Sequence, residues 1–136
     1  AVFSLPNEIF YPGTSSIACC MIFDLSQSHK SSNKKTFFGY FKEDNFIKRK
    51  GLGRVEKTDS GENSLWLKTE DTWLDLYKNK EEKPGLSVMH KVNYDDEWLA
   101  EAYMQTDYTN LQDSDFEKTI REYYSYLIKD GRFIND

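Results

Sequence analysis

Basic side chains crowd one short stretch of the chain, where they could neutralise the phosphates of a nucleic acid. The stretch contains Lys48, Arg49, Lys50, Arg54 and Lys57. Two aromatic residues, Tyr40 and Phe46, are close to it in sequence. Each cation that neutralises a phosphate adds affinity that falls as salt rises, and such contacts position a protein without reading base sequence. The alternative is a solvated surface loop, which is what most charged stretches form.

The chain offers little else that could carry out chemistry. His29 and His90 are far apart and do not have the spacing of zinc ligands. Cys19 and Cys20 are adjacent within an apolar run, where a thiol is a poor nucleophile. The acidic residues at 95–97 fit a helix start that complements the helix dipole better than a pair of catalytic carboxylates. We therefore expect no catalytic residue and no metal ligand in this sequence.

Length and charge set limits on the possible partners. A chain of 136 residues is long enough for one domain with a modest core. Its net charge is −5, which argues against a nucleic-acid binder held by bulk charge. The charge is uneven, however, because residues 1–68 carry +3 and residues 69–136 carry −8. A polyanion would therefore meet the first half of the chain.

The cysteines and the hydropathy pattern bear on location. Neighbouring strand residues point to opposite faces, so a disulfide between Cys19 and Cys20 would be strained. We expect reduced core thiols, as in cytoplasmic proteins. The sequence has no recognisable signal peptide and no apolar run near the roughly 20 residues that span a bilayer. These features predict a cytoplasmic protein without a membrane segment.

Three strands are expected in the first part of the chain. They are Val2–Leu5, Ile17–Leu25 and Thr36–Phe41. The run from Ile17 has no alternation, which is typical of a strand buried on both faces. Pro12-Gly13 marks a turn between the first two strands, and residues 42–61 are expected to form an ordered loop or a mobile arm.

Helices and one further strand are expected in the second part. The spacing of Trp66, Trp73 and Leu76 predicts a helix from about Leu67, and a short strand follows at 86–92. A short helix is expected from Asp95 or Asp96 to Tyr103. The last helix should begin at Ser114, with Glu117 three residues on. Its apolar stripe either packs in the core or docks on a partner, and comprises Phe116, Ile120, Tyr123, Tyr124 and Leu127.

The order of these segments, and several short motifs, resemble one enzyme family. A strand ending in Leu-Pro, then Phe-Tyr-Pro-Gly-Thr at 10–14, then an apolar strand is similar to the end of the catalytic domain in adenine-N6 DNA methyltransferases. The methylation (M) subunit of type I restriction-modification systems is the nearest match. Weaker similarities continue at residues 41–46, 51–54, 73–77 and 95–99.

The resemblance implies a fold and a division of the chain. We expect an α+β fragment in which the terminal antiparallel strands of a Rossmann-like methyltransferase sheet are followed by a helical tail. Residues 1–63 would be the last strands of the catalytic domain with a charged loop, and residues 64–136 a mainly helical C-terminal tail. The chain is thus interpreted as the end of a larger protein.

The resemblance also implies an activity for the parent protein. The parent would transfer a methyl group from S-adenosylmethionine to adenine N6 in DNA. This sequence contains no Asn-Pro-Pro motif and no Gly-rich turn in an intact βαβ unit. We therefore expect the chain alone to be inactive and to bind no cofactor.

By the same resemblance, Phe10 would stack on the flipped target base, with Tyr11 as the neighbour if the register differs by one. The alternative is that Phe10 only packs against the sheet edge.

The resemblance also implies partners, which are double-stranded DNA, the DNA-specificity subunit and the restriction subunit. The chain alone is expected to self-associate through uncovered strands. A rival hypothesis is a stand-alone α+β protein-interaction module without enzymatic activity.

Overall fold

The computed structural model describes residues 1–131, apart from the side chain of Ser31. The chain has an α+β fold and divides into two compact units, Ala1–Thr106 and Asp107–Asp136. The first unit holds six strands, one helix and two single-turn 3-10 helices, His29–Ser31 and Ala100–Ala102. Its strands and helix are β1 (Val2–Ser4), β2 (Cys19–Met21), β3 (Thr36–Tyr40), β4 (Phe46–Arg49), β5 (Gly53–Glu56), α1 (Leu65–Asn79) and β6 (Ser87–His90). The second unit contains helix α2 (Asp113–Lys129).

Four strands form a mixed sheet in the order β2-β1-β3-β6. The two central strands, β1 and β3, are parallel, with Phe3 opposite Gly39. The outer strands pair antiparallel, β2 with β1 and β6 with β3. Strands β4 and β5 form a separate antiparallel hairpin. The expected antiparallel pairing of the first two strands is confirmed.

Both faces of the central strands are covered. On one face, Phe3, Phe37 and Phe41 pack against Leu76 of α1. On the other, Val2 and Phe38 pack against Val92 and Ala100. Because side chains alternate between the faces of a strand, each of these short strands feeds two clusters at once. The core therefore lies on either side of the β1–β3 pair.

Helix α1 confirms the predicted apolar face and begins two residues earlier than expected. The hydroxyl of Ser64 accepts a hydrogen bond from the Leu67 N–H at 3.1 Å and caps the helix. The ring of Trp73 stacks on Phe41 with 4.5 Å between centroids and 4° between planes. The helix ends at Lys80, whose φ of 54° is left-handed.

The prediction that Ile17–Leu25 forms a strand buried on both faces is wrong. Only Cys19–Met21 is strand, and all three residues are exposed. The sheet order explains the difference, since β2 lies at the edge and the doubly buried positions belong to β1 and β3. Cys19 and Cys20 are free and exposed, so the expectation of core thiols is also wrong.

Two further expectations are corrected. The charged segment 42–61 contains the β4–β5 hairpin, whose turn places Gly51 and Gly53 at φ of 77° and 79°. The sequence of the hairpin lacks the alternation of apolar and polar residues that predicts a strand, because both faces of a surface hairpin can carry charged side chains. The short helix expected at 95–103 is only the 3-10 turn Ala100–Ala102. An Asn93–Asp96 hydrogen-bonded turn takes the place of its first turn.

Helix α2 starts at a different cap from the one predicted. Gln112 rather than Ser114 is the cap, and the Asp115 carboxylate accepts from the Gln112 N–H at 3.0 Å. No residue of the helix is buried, so core packing of its apolar stripe is wrong for Phe116, Ile120, Tyr123 and Tyr124. Within residues 1–131, no helix is long and apolar enough to cross a membrane.

Gly39 offers a test of the packing between the central strands. A Cβ at this position would lie 2.8 Å from Phe41 Cζ and 2.9 Å from Phe3 Cδ1, closer than carbon atoms pack. Both rings are buried and cannot move aside freely. We expect Gly39→Ala to lower the free energy of unfolding by about 1–3 kcal/mol, measured by urea denaturation.

Gly61→Ala is the matched control, because its Cβ would meet only the side-chain ends of the exposed Asn63 and the half-buried Asp59. A Gly39→Ala protein as stable as the control would contradict the described packing of Phe3 against Phe41.

Candidate nucleic-acid interface

The structure brings the aromatic loop and the basic hairpin together. Strands β1 and β3 are parallel, so their carboxyl ends lie at the same end of the sheet. The chain leaves β1 into residues 6–14, which we call the aromatic loop, and leaves β3 towards the hairpin β4–β5. A Cβ at Gly53 would lie 3.9 Å from Pro12 Cδ, so the loop rests beside the hairpin.

The aromatic loop is held by successive backbone turns. The N–H of Ile9 donates to Pro6 O, that of Tyr11 to Glu8 O, and that of Gly13 to Phe10 O at 2.8 Å. A second donor, the Thr14 N–H, also bonds Phe10 O at 3.2 Å. The loop therefore has a defined path although it forms no strand or helix.

The two residues singled out for base stacking have different surroundings. Phe10 is 52% exposed, which leaves much of its ring open to solvent. Tyr11 is half-buried, and the Lys48 ammonium lies 4.4 Å from its ring centroid. This distance is within the range of a cation–π contact. Phe10 is thus the available stacking surface, and Tyr11 is the ring that connects the loop to the hairpin.

Lys48 links the loop and the hairpin through a second contact. Its ammonium lies 3.3 Å from the Glu8 carboxylate, in an ion pair that is half exposed on both sides. An exposed pair of this kind contributes at most about 1 kcal/mol. Lys48 can therefore leave Glu8 and pair with a phosphate at a small cost in free energy.

The predicted basic cluster divides into accessible and engaged residues. Lys48, Arg49, Lys50 and Lys57 are exposed. Arg49 and Lys50 lie at the hairpin turn, where the Leu52 N–H donates to Arg49 O. Arg54 differs, because it is opposite Lys48 in the hairpin register and its side chain is largely buried.

Arg54 is held by a buried carboxylate. Its guanidinium lies 2.5 Å from Asp44 Oδ2, and Asp44 is only 7% exposed. The other Asp44 oxygen accepts from the Phe46 N–H at 3.0 Å, and the guanidinium lies 5.1 Å from the Phe46 ring centroid. Arg54 therefore fixes the base of the hairpin and is not available to a phosphate in this arrangement.

A polar cleft of about 590 Å³ adjoins this surface at the carboxyl ends of β1 and β3. Its walls combine charges of both signs, including Lys42, Arg54, Asp44 and Glu101. The sequence did not point to Lys42 or Glu101, because their partners are remote in the chain. Glu101 accepts from Ser4 at 2.5 Å and pairs with Lys42 at 3.3 Å.

Two opposing effects act on Glu101. Partial burial raises the pKa of its carboxyl, but hydrogen bonds from Ser4, its own backbone and Lys42 outweigh burial, so the pKa lies below its ordinary value. The carboxylate ties the segment before Tyr103 to the ends of β1 and β3. It is a structural clasp at one wall of the cleft.

The histidines are used in packing. His29 shares a hydrogen bond with Val92 O at 2.6 Å, and His90 stacks on Tyr103 with 4.1 Å between ring centroids. Among residues 1–131, no three His, Cys, Asp or Glu side chains are placed to hold a metal ion.

Comparison of the chain with protein families, with characterised proteins and with solved structures gives no significant match.

The role of Arg54 can be tested against that of Lys48. Removing one partner of a buried ion pair leaves a charge uncompensated, so Arg54→Gln should lower the free energy of unfolding by about 3–5 kcal/mol. Lys48→Gln breaks two exposed contacts, the ion pair with Glu8 and the cation–π contact with Tyr11, and should cost no more than about 2 kcal/mol. Urea denaturation of both variants measures the difference, and equal effects would contradict the distinct roles.

Glu101 predicts a specific pH dependence of stability. Its pKa is lowered in the folded state, so its contribution is complete above the ordinary value of 4.5 and is lost as pH falls through the folded value. Glu101→Gln should therefore destabilise the protein at pH 7 and have a smaller effect below pH 4.5. Glu81→Gln, which removes an exposed carboxylate, serves as the control. A Glu101→Gln effect that is the same at both pH values would contradict the clasp.

Proposed function

We propose that this chain contacts DNA through the aromatic loop and the β4–β5 hairpin, as the C-terminal part of an adenine-N6 DNA methyltransferase similar to the methylation subunit of type I restriction-modification systems. The observation that carries the proposal is the Lys48–Tyr11 contact at 4.4 Å. It joins the basic residues to the loop in which the sequence resemblance lies.

The chemistry of the surface suits a nucleic acid. Lys48, Arg49 and Lys50 supply exposed cations for phosphates, and Phe10 supplies an exposed ring for a base. The acidic excess lies in the second half of the chain, away in sequence from this surface. Binding by the isolated chain would be weak and salt-dependent, with a dissociation constant in the range of about 1–100 µM.

The proposed parent protein uses S-adenosylmethionine as methyl donor, acts on double-stranded DNA and works in the cytoplasm with a DNA-specificity subunit and a restriction subunit. Support comes from the resemblance at residues 2–25 and from a mixed sheet that has a parallel pair and an antiparallel edge strand. A Rossmann-like relationship is part of the same proposal. This chain lacks the Asn-Pro-Pro motif, so its part is contact and support for the transfer reaction.

Helix α2 supports a docking role within that assembly, or in a stand-alone interaction module. Aromatic and aliphatic side chains line one exposed stretch of the helix, including Phe116, Ile120 and Tyr123. Exposed apolar patches of this kind usually mark contact surfaces. The interaction-module hypothesis differs from the first in requiring no DNA affinity.

Binding of a fluorescent duplex, followed by anisotropy over a range of salt concentrations, tests the DNA surface. The variant Lys48→Gln/Arg49→Gln/Lys50→Gln should bind more weakly, and the slope of log affinity against log salt should fall by about 1 for each phosphate that the hairpin no longer neutralises. Phe10→Ala should reduce affinity for a duplex with an unpaired adenine more than for a fully paired one, because an extruded base stacks on the ring.

The matched control is Lys68→Gln/Lys78→Gln/Lys83→Gln, which removes the same charge from exposed positions elsewhere. An equal decrease in affinity in both triple variants would mean bulk charge attraction and contradict the hairpin site. No binding by the unaltered chain at low salt would contradict the DNA proposal and favour the interaction module.

A further inference from the structure

We infer that β2 is a self-pairing edge, and that two copies of this chain join through antiparallel β2 strands with Cys20 at the two-fold axis. This inference does not depend on the proposed DNA contact. The occupant of the exposed sheet edge is a second copy of this chain.

The hydrogen bonds between β1 and β2 determine which groups face outwards. Ile22 exchanges two hydrogen bonds with Ala1, its N–H donating to Ala1 O at 2.9 Å and its O accepting from the Ala1 ammonium at 3.0 Å. Ala18 O accepts from the Leu5 N–H at 3.1 Å. Antiparallel pairs alternate, so Ala18, Cys20 and Ile22 turn their backbone groups towards β1.

The backbone groups of the intervening residues point the other way. Cys19 and Met21 therefore present N–H and C=O groups along the outer side of β2. In the sheet built from residues 1–131, no strand lies beyond β2. A row of unpaired backbone donors and acceptors is a template for another strand.

The sequence of the edge is suited to its own copy. From Ile17 to Phe23 the residues are Ile-Ala-Cys-Cys-Met-Ile-Phe, with no charge and no proline. Natural edge strands usually carry a charged residue or a proline, which prevents pairing with another strand. Centred on Cys20, an antiparallel pair places Ile17 opposite Phe23 and Ala18 opposite Ile22, so apolar residues meet throughout.

Other registers fit less well. Backbone groups that face outwards must pair with each other, so the axis passes through a residue of the strand rather than between residues. An axis at Met21 would place Asp24 opposite Ala18, and an axis at Cys19 would place Ser15 opposite Phe23. The Cys20 axis avoids both mismatches.

The same register makes a distinctive prediction about the cysteines. Because Cys20 turns its backbone towards β1, the Cys20–Cys20 pair across the axis is of the non-hydrogen-bonded type, with a Cα separation of about 4.5 Å. That separation lies at the short end of the range in which a disulfide forms. Cys19 would instead be opposite Met21 of the other copy. Both thiols are exposed and free in this structure.

The test is oligomeric state combined with thiol cross-linking. Sedimentation of the reduced chain should show a dimer that Met21→Lys converts to monomer, since a charge is placed at the paired edge. Diamide should then link the two copies through one disulfide, as two thiols give up two hydrogens that reduce its N=N bond to a hydrazine. Covalent dimer should form in Cys19→Ser as in the unaltered chain, and should be at least tenfold less abundant in Cys20→Ser.

Leu52→Lys, an exposed apolar-to-charged change at the hairpin tip, is the matched control and should leave the dimer intact. A monomer at concentrations up to about 100 µM would overturn the inference. So would a dimer that Ile120→Lys on α2 dissociates and Met21→Lys does not, or cross-linking that needs Cys19 rather than Cys20. Circular dichroism of each variant checks that it is folded.

Discussion

The parallel pairing of β1 with β3 is the constraint on which the rest of the first unit depends. These strands are short, yet their residues are buried on both faces, with Phe3 and Phe37 on one side and Val2 and Phe38 on the other. Burying large aromatic side chains is the main source of stability in so small a core. Gly39 lets the rings of Phe3 and Phe41 approach the strand closely. Because the two strands run in the same direction, the chain segments that follow them leave from the same end of the sheet.

The polar features lie at this end of the sheet, where β1 and β3 have their carboxyl ends. The aromatic loop follows β1, the Asp44–Arg54 pair and the hairpin follow β3, and Glu101 reaches back to Ser4 and Lys42. Parallel strands often place ligand sites at their carboxyl ends for the same geometric reason. The buried ion pair anchors the hairpin, whose cations Lys48, Arg49 and Lys50 are exposed, and Lys48 lies against Tyr11.

Local patterns predicted part of this fold from the sequence. The Thr36–Tyr40 strand has aromatic residues in a short run, and α1 has both its Ser64 cap and its helical spacing, so local and tertiary preferences agreed. The apolar run from Ile17 led to a wrong prediction of a buried strand, because hydropathy does not distinguish a central strand from an edge strand. The β4–β5 hairpin was not predicted, because its charged residues obscure the alternation typical of strands. The proximity of the basic cluster to the aromatic loop was not predictable, since it depends on two strands being parallel and adjacent. The Ser4–Glu101 contact spans nearly the whole first unit and has no local signal.

The proposal that the aromatic loop and the hairpin form one DNA-contacting surface has a direct test. The measurement is the change in backbone amide NMR shifts of the chain on titration with a short DNA duplex at low salt. We expect the shifts to concentrate in residues 7–14 and 46–53, with residues 87–92 unaffected. Shifts confined to α2 or to β2, or no shifts at saturating duplex, would contradict the proposal.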